Sequence, residues 1–514
     1  MSDFKTPGGS STNVSSDVEI QAGTSSENRN LSSRHLQFIA IGGTIGTGVF
    51  LGMGTALATG GPVGCLLAFG FMGLVVYSIM VALGEMAAYI PIAGSFTVYA
   101  TRFIDPSLGF AMGWMYWLSW SVTFALELTA AGIIIQYWNE SLSIAIFISI
   151  FLVFFVALNF LPGKLFGDVE MYFSLIKVVT IIAWCILAIC INCGVGKQGY
   201  LGFKYWKDPG PFVELQVEGT AGRFVGFWAV LVTAAFSYQG AELVGIGAGE
   251  AADPARAVPR AVKWTFWGVF GMFTATIFMV GLVVPSNDPN LATGETNASA
   301  SPLVIAANLA GIPVLGDVIN GVLLTAVLSA ANSNVYSGSR ILVGLAEQGQ
   351  APAIFARSWN GVPRAGVLFT GAVGLLAYMN LSSAGSNVFN WLLNIVAIAG
   401  LITWSCITMC HIRFIQILKH RGISRDTLPY KAPCQPWLSY FGTFFTIVIL
   451  LTNGFQSFID WSTDGFLTAY VSVFIFIVLF IAHKVILRTK MVGLDDADLS
   501  IPRHDEQGNV VREK

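Results

Sequence analysis

One feature constrains this chain above all others: from residue 37 almost to its end, apolar stretches near twenty residues long follow one another with short polar breaks between them. A helix needs roughly 20 apolar residues to cross the hydrocarbon core of a bilayer. Composition points the same way. Charged residues make up 11% of the 514, against about 25% in an ordinary soluble domain, which is too few to cover a water-facing surface. The fold class is therefore an all-α polytopic membrane protein. The formal net charge of −2 offers no cationic field for nucleic acid, so no DNA or RNA partner is expected.

Twelve candidate spans stand between the polar breaks, at 37–57, 63–88, 109–137, 141–163, 171–193, 225–250, 264–285, 313–345, 366–382, 388–411, 437–458 and 465–487. The distribution of basic residues tests this number, because Lys and Arg collect in cytoplasmic segments. With both termini inside, 22 of the 27 basic residues fall on inner segments and four (Lys197, Lys204, Lys207 and Arg223) on outer loops, while Lys177 lies within a span. The same topology places Asn297, in an Asn-Ala-Ser sequon, outside and the 412–436 loop inside. Residues 1–34 are polar and rich in Ser, Thr, Gly and Asn, the composition of a disordered cytoplasmic tail. The first apolar stretch begins after Arg34 and His35 and leads directly into further spans, so no cleavable signal peptide is expected. The sequence divides into that tail, a ten-helix core over 35–411, the inner loop 412–436, two more helices over 437–488 and a cytoplasmic tail over 489–514. Seven cysteines, six of them in or at the ends of apolar segments, argue against a disulfide framework; the Cys190-x-x-Cys193 pair lacks a second pair or a nearby His for zinc.

Within this frame the first span carries Gly42-Gly43-Thr44-Ile45-Gly46-Thr47-Gly48, four glycines in seven residues at mid-membrane depth. Each glycine weakens a helix by roughly 1 kcal/mol, so the helix is expected to open here. Opened backbone survives at that depth only inside protein or along a cavity. The sixth span repeats the device in Ser237-Tyr238-Gln239-Gly240-Ala241-Glu242-Leu243-Val244-Gly245. If the first ten helices form two repeats of five, the first and sixth spans occupy matching positions, and paired broken helices at matching positions point to the midplane site of a transporter. Open amides at a helix start hold an anion and freed carbonyls hold a cation, a combination suited to a zwitterion such as an amino acid. Close-packing glycines are the competing explanation for any one of these positions.

Charges inside spans give a second signal, since each costs about 2.5–3.5 kcal/mol at a helix centre on insertion scales and needs a partner or a wet cavity. Glu85, Glu127, Lys177 and Glu242 are such charges. Tyr116, Trp120, Thr123 and Glu127 are spaced to share one helical face, polar and aromatic like the wall of a substrate cavity. Glu85 sits nearer the inner end of its span, where a structural hydrogen-bonded role is as good a reading. Lys177 is either an amine able to gain and lose a proton or a permanent charge that braces two helices. Ser329, Asn332, Ser333 and Tyr336 recur at helical spacing on the eighth span, with hydroxyls able to partner Lys177 or a proton-linked water. No HExxH, GxSxG or Walker loop occurs, so the chain is not expected to be an enzyme or to use ATP, a metal or another cofactor.

Several stretches resemble the fungal amino-acid permeases of the amino acid, polyamine and organocation superfamily: GGTIGTGVFLG (42–52), ALGEMAAYIP (82–91), FALELTAAG (124–132), FSLIKVVTII (173–182), FSYQGAELVGIGAGEAADP (236–254) and SAANSNVYSGSRIL (329–342). The run SWSVTFALEL, the QGAELVGI stretch, SAANSN and HRGISRDTLPYKA look most like the arginine and lysine permeases. The resemblance implies a LeuT-like fold of five plus five inverted repeats with two further helices, and proton-coupled amino-acid uptake across the plasma membrane. It implies a substrate carboxylate at the amides of Gly46, Thr47 and Gly48, and its ammonium at carbonyls near Thr44, Ile45, Phe236 and Ser237. Phe236 would gate the site, with Tyr238, Thr123, Glu127 and Asn394 among the substrate-binding residues. Glu242 would link the broken sixth span to its neighbours. Lys177 would occupy the place of a sodium ion in sodium-coupled relatives, with Ser329 and Ser333 completing the proton-coupling group. The segment Asn394-Ile395-Val396-Ala397-Ile398-Ala399-Gly400 departs from the basic-amino-acid pattern, in which Thr or Ser is expected near Val396. A broad-range, neutral or acidic permease, and a sensor of the same fold that moves nothing, are the alternatives; a channel is disfavoured by broken helices around an occluded site. Partners expected besides substrate and protons are the bilayer and, on the tails, trafficking or ubiquitylation machinery.

Overall fold

The structure, a computed structural model, describes residues 40–92, 94–139, 141–161, 163–246, 251, 253–292, 301–359, 361–381, 385–500, 503–504 and 510–511. The 1–34 tail and Asn297 lie outside the described residues. Almost everything described is helical. The chain is helical over 40–44 (α1), opens, and resumes as a widened turn, Gly48–Gly52, that runs into α2 (Met53–Tyr89). There follow α3 (Ser95–Phe103), α4 (Pro106–Gln136), α5 (Ile144–Leu158), α6 (Gly163–Asn192), α7 (Gly219–Tyr238), the short α8 (Leu243–Ile246) and α9 (Pro254–Val283). The remainder is α10 (Pro302–Leu309), α11 (Pro313–Glu347), α12 (Arg364–Val373), α13 (Gly385–His420), α14 (Trp437–Thr452) and α15 (Thr463–Leu487).

Ten helical stretches among the described residues are long and apolar enough to cross a membrane, and α5, at 15 residues, is a shorter apolar one. The stretch Gly48–Tyr89 is two spans in line. Gly61 stands at φ 72° and ψ 172° ahead of Pro62, a backbone conformation in which a side chain is strained, and an added Cβ would come within 2.9 Å of the Phe212 backbone. Splitting that stretch and adding α5 gives a helix to each of the twelve expected spans. The largest departure in length is α13, expected to stop at 411. It runs on to His420, because its last turns carry Arg413, Gln416, Lys419 and His420 and project polar side chains past the apolar bundle.

Burial sorts the helices. The most apolar stretches of α4 and α13 are 83% buried inside the protein, whereas that of α15 is 11% buried and faces outward. The core helices α11 and α13 each pack on α4, and α2 packs on α7 and α9. Helix starts follow ordinary capping chemistry. Asp105 accepts from the Ser107 amide at 2.8 Å with Pro106 as the first helical residue of α4, and Ser143 and Ser462 cap α5 and α15.

The connections sort to two ends as an even number of crossings requires. At one end Val492 donates its amide to Ile104 (2.8 Å), Arg413 donates to Phe103 and Val492, and Arg102 pairs with Asp498 at 3.2 Å. The 2–3 connection, the 412–436 loop and residues 489–500 are therefore neighbours, and the last of these is packed against the bundle, with Ala497 1% exposed. Asp105, Thr489 and Lys484 add a further tie there; burial opposes the Asp105 carboxylate, but Lys484, the Ser107 amide and Thr489 hold it below the usual range. At the other end the Lys197 amide bonds Ala310 at 2.9 Å and the Val63 amide bonds Pro211 at 2.9 Å.

Candidate substrate-binding site

The two glycine-rich segments both break. In the first, the Ile45 amide still reaches Ile41 at 3.0 Å, but Ile45 and Gly46 leave the helix, and Val49 bonds back to Gly46 at 3.3 Å to start the widened turn. In the second, α7 ends at Tyr238 and the chain turns through Gly240 at φ 97° before α8. A Cβ at Gly240 would stand 2.8 Å from the Gly43 carbonyl. The breaks thus meet, and glycine at 240 lets backbone approach backbone.

Between them lies a cavity bordered by Gly43, Thr44, Gly46, Thr47 and Gly48 from the first break and by Phe236, Ser237, Gln239, Gly240 and Glu242 from the second. Tyr116, Ser119, Trp120, Thr123 and Glu127 of α4, Asn334 of α11 and Gly400 of α13 close it. The face of α4 read from its spacing is therefore a cavity wall. Glu127 is 2% exposed, accepts from the Thr47 hydroxyl at 3.1 Å through Oε1, and has no hydrogen-bond partner for Oε2 among the described residues. Glu242 is the opposite case. The Tyr116 hydroxyl donates to it at 3.1 Å, the Trp404 indole at 3.2 Å, and the Gly240 amide at 3.2 and 3.3 Å, so it ties the second break to α4 and α13.

Lys177 lies behind the first break. Its ammonium donates to the Gly42 carbonyl at 2.8 Å and stands 4.0 Å from Glu170, which accepts from Ser329 at 3.1 Å. The eighth-span hydroxyls were expected to partner Lys177 or a proton-linked water, and Ser329 is joined to Lys177 by way of Glu170. Ser329 serves Glu170, seven residues before Lys177 on the same helix, and Ser333 is buried one turn further along α11. Asn332 accepts from Asn159 at 2.9 Å.

Of the candidate substrate residues, Thr44, Gly46, Thr47, Gly48, Thr123, Glu127, Phe236, Ser237 and Glu242 border the cavity, and Ile45, Tyr238 and Asn394 do not. Ile45 is fully buried in the core. Tyr238 turns away, donating its hydroxyl to Phe69 at 3.2 Å with its ring against Phe273, and Asn394 donates to Asn390 on its own helix at 3.0 Å. Thr44 and Thr123 spend their hydroxyls on Ala40 (2.6 Å) and Ser119 (2.7 Å) of their own helices. Four participants escaped the sequence reading. Glu170 falls one residue outside the apolar run assigned to its span, although its spacing of two helical turns from Lys177 was a usable signal. Trp404, Asn334 and Gln239 are neutral and give no such signal. Gln239 donates to the Val396 carbonyl at 2.9 Å, joining the second break to the segment of α13 that departs from the basic-permease pattern. The Asn334 side-chain nitrogen is buried without a partner among the described residues.

The chain is 43% identical to the lysine-specific permease of Saccharomyces cerevisiae over 481 residues, 93% of this chain and 79% of that one. It is equally 43% identical to the basic amino-acid permease of the same yeast, over 92% of this chain and 84% of the relative. In fold it is similar to the manganese transporter of Eremococcus coleocola, with a TM-score of 0.51 at 15% identity over 88% of this chain and 95% of that one; the architecture is LeuT-like. The amino acid permease family model matches residues 35–494. With two broken helices around a polar cavity in a multi-pass helical bundle, the chain belongs to the amino acid permease family and is an amino-acid transporter rather than an enzyme.

Proposed function

We propose that this transporter imports cationic amino acids across the plasma membrane by proton symport, through alternating access to the cavity between the two broken helices. One observation carries the reading: Glu127 presents a buried carboxylate with one oxygen on Thr47 and the other without a protein partner, on the cavity wall. A desolvated anion is costly unless a cation or donors complete it. The ammonium or guanidinium of a lysine or arginine side chain supplies that completion. The backbone at Gly46, Thr47 and Gly48 takes the substrate carboxylate at the start of the restarted helix, and the carbonyls near Thr44, Ile45, Phe236 and Ser237 take its ammonium. Phe236 closes over the bound substrate. The names of the two yeast relatives support the same substrate class.

For coupling, Lys177 grips the first break through the Gly42 carbonyl, so a change in its charge alters the hold of α6 on the segment that lines the cavity. Glu170, with Ser329 and Ser333 beside it, is the counter-charge on that route. Both termini and the 412–436 loop are cytoplasmic in this scheme, with Asn297 outside.

Competition of labelled arginine or lysine uptake by each of the twenty amino acids tests the substrate. Preference for neutral or acidic amino acids removes the cationic assignment and leaves the family intact. Accumulation against the substrate gradient separates transport from sensing. Single-cysteine labelling with an impermeant reagent in intact cells tests the orientation; the reagent is expected to reach position 297 and to miss the 412–436 loop, and labelling of that loop overturns the scheme.

A further inference from the structure

A second concave site lies at the same end as the 412–436 loop and shares no lining residue with the transport cavity. It is a groove bordered by Tyr77 of α2, by Arg260, Lys263, Trp264 and Trp267 of α9, and by Tyr430 of the loop. The absence of a side chain at Gly84 brings these elements together, since a Cβ there would stand 3.2 Å from Val262 and 3.5 Å from Tyr430. Tyr77 packs on Phe266 with ring centroids 4.8 Å apart and gives the groove an aromatic floor.

The charge of the groove is one-sided. Arg260 and Lys263, one turn apart and both exposed, have no acidic partner among the described residues. The described acids nearby are already engaged: Asp253 by Arg256 at 3.7 Å, Asp426 by Lys431 at 2.5 Å and Glu85 by Arg425 at 2.7 Å. Burial first, and then Tyr77 and Glu85, push the Tyr430 hydroxyl up to about 12, so it remains a hydrogen-bond donor at neutral pH. Beside the two cations, Trp264 and Trp267 are 62% and 55% exposed. Indoles gather where hydrocarbon meets headgroups. Cations without an acidic partner among the described residues, beside two indoles more than half exposed, match a ligand that is phosphate at one end and hydrocarbon at the other.

We propose that this groove binds an anionic phospholipid of the cytoplasmic leaflet, with Arg260 and Lys263 on the headgroup phosphate and the acyl chains along Trp264 and Trp267. Anionic lipids concentrate in that leaflet, and basic pockets between helices on that side suit their headgroups. A soluble phosphate compound shares the headgroup chemistry but gains nothing from the indoles. The inference rests on the cytoplasmic placement of the 412–436 loop, which the labelling experiment tests separately, and is independent of the substrate assignment.

The full-length protein, purified in detergent with equal phosphatidylcholine and phosphatidylserine, is washed, and its retained lipid is counted by native mass spectrometry. The wild type should retain phosphatidylserine over phosphatidylcholine. The pair R260Q/K263Q should lower that retention about tenfold or more, while K204Q/K207Q, which removes the same charge at the opposite end, should leave it unchanged. The pair W264A/W267A, with both cations intact, should also lose lipid. Equal retention by wild type and R260Q/K263Q overturns the site. Release of phosphatidylserine by millimolar inorganic phosphate, or unchanged retention in W264A/W267A, overturns the lipid assignment in favour of a soluble phosphate. A thermal melt of each variant matching the wild type confirms that loss of lipid is not loss of fold.

Discussion

Glu85 and Glu127 stand on α2 and α4 as buried carboxylates, yet their surroundings are opposite. Glu85 is saturated: the Arg425 guanidinium reaches both its oxygens at 2.7 Å, the Ala432 amide donates at 2.9 Å and the His411 ring lies at 3.3 Å, itself held by Ser439 at 2.8 Å. Glu127 has one donor, Thr47, and an oxygen left over beside a cavity. A carboxylate completed by protein groups fastens elements together, here the C-terminal part of α2 to the 412–436 loop and to α13 and α14. A carboxylate left incomplete is a place for something that arrives and leaves.

The contrast breaks most visibly at Glu85. Glu85→Ala leaves Arg425 and His411 without their acid, and removing one member of a buried ion pair costs roughly 3–5 kcal/mol. The expected result is a large fall in folded protein, read as lost thermal stability in detergent and lost surface abundance, with unchanged substrate preference in the molecules that survive. A stable Glu85→Ala protein with altered selectivity would put Glu85 in the transport route and erase the distinction.

Next in size are Gly46 and Gly48, two of the four glycines of the first break, which differ although the sequence presents them as equivalents. A Cβ at Gly48 meets the Ser237 backbone at 2.8 Å and Phe236 at 3.1 Å, so it pushes the two broken helices apart. At Gly46 it meets the Glu127 carboxylate at 3.1 Å and Ala330 at 3.7 Å, neighbours better able to give. Gly48→Val should reach the membrane and abolish uptake, while Gly46→Ala should retain part of it with weakened affinity. Normal uptake by Gly48→Val removes the meeting of the breaks from the binding site.

These cases mark what the sequence could say. Spans were legible because lipid imposes a length, and breaks because glycine runs at mid-membrane depth have few uses. A structural role for Glu85 was legible as one reading, but its partner was not, since Arg425 lies 340 residues away in a polar loop with no spacing that ties the two together. Glu170 was hidden by its place at the margin of an apolar run. Trp404, Gln239 and Asn334 were hidden by neutrality, because a neutral polar group costs less to bury than a charge and so stands out less in an apolar run. Tyr238 shows the converse: flanked in sequence by the cavity residues Ser237 and Gln239, it points elsewhere because successive side chains leave a helix in different directions.

Lys177 sharpens the comparison, because it lies between the two conditions: bonded to Gly42 and near Glu170, yet adjoining the segment that forms the site. Lys177→Met removes the charge and keeps much of the side-chain bulk. Proton-dependent accumulation should be lost and exchange of substrate across the membrane retained. Accumulation that still follows the proton gradient makes Lys177 a brace, like Arg425, and moves the coupled proton to another group.

The smallest effect, and the most specific, belongs to Glu127. Glu127→Gln keeps the shape of the side chain, and its carbonyl can still accept from the Thr47 hydroxyl, so the cavity wall stays in place and only the charge is withdrawn. A cationic side chain that had used the free oxygen loses a charge-assisted hydrogen bond worth about 1.5–3 kcal/mol, which is roughly ten- to 150-fold in affinity. A neutral substrate never made that bond and should lose much less. The measurement is therefore a ratio: inhibition constants for arginine and lysine against those for a neutral amino acid carried as a side activity, in wild type and variant. The ratio should fall by about tenfold or more. If all substrates weaken together, Glu127 acts on the site as Glu85 acts on the loop, through architecture; if none weakens, the cationic side chain is met by a different group and the unpaired oxygen of Glu127 belongs to some other step of the cycle.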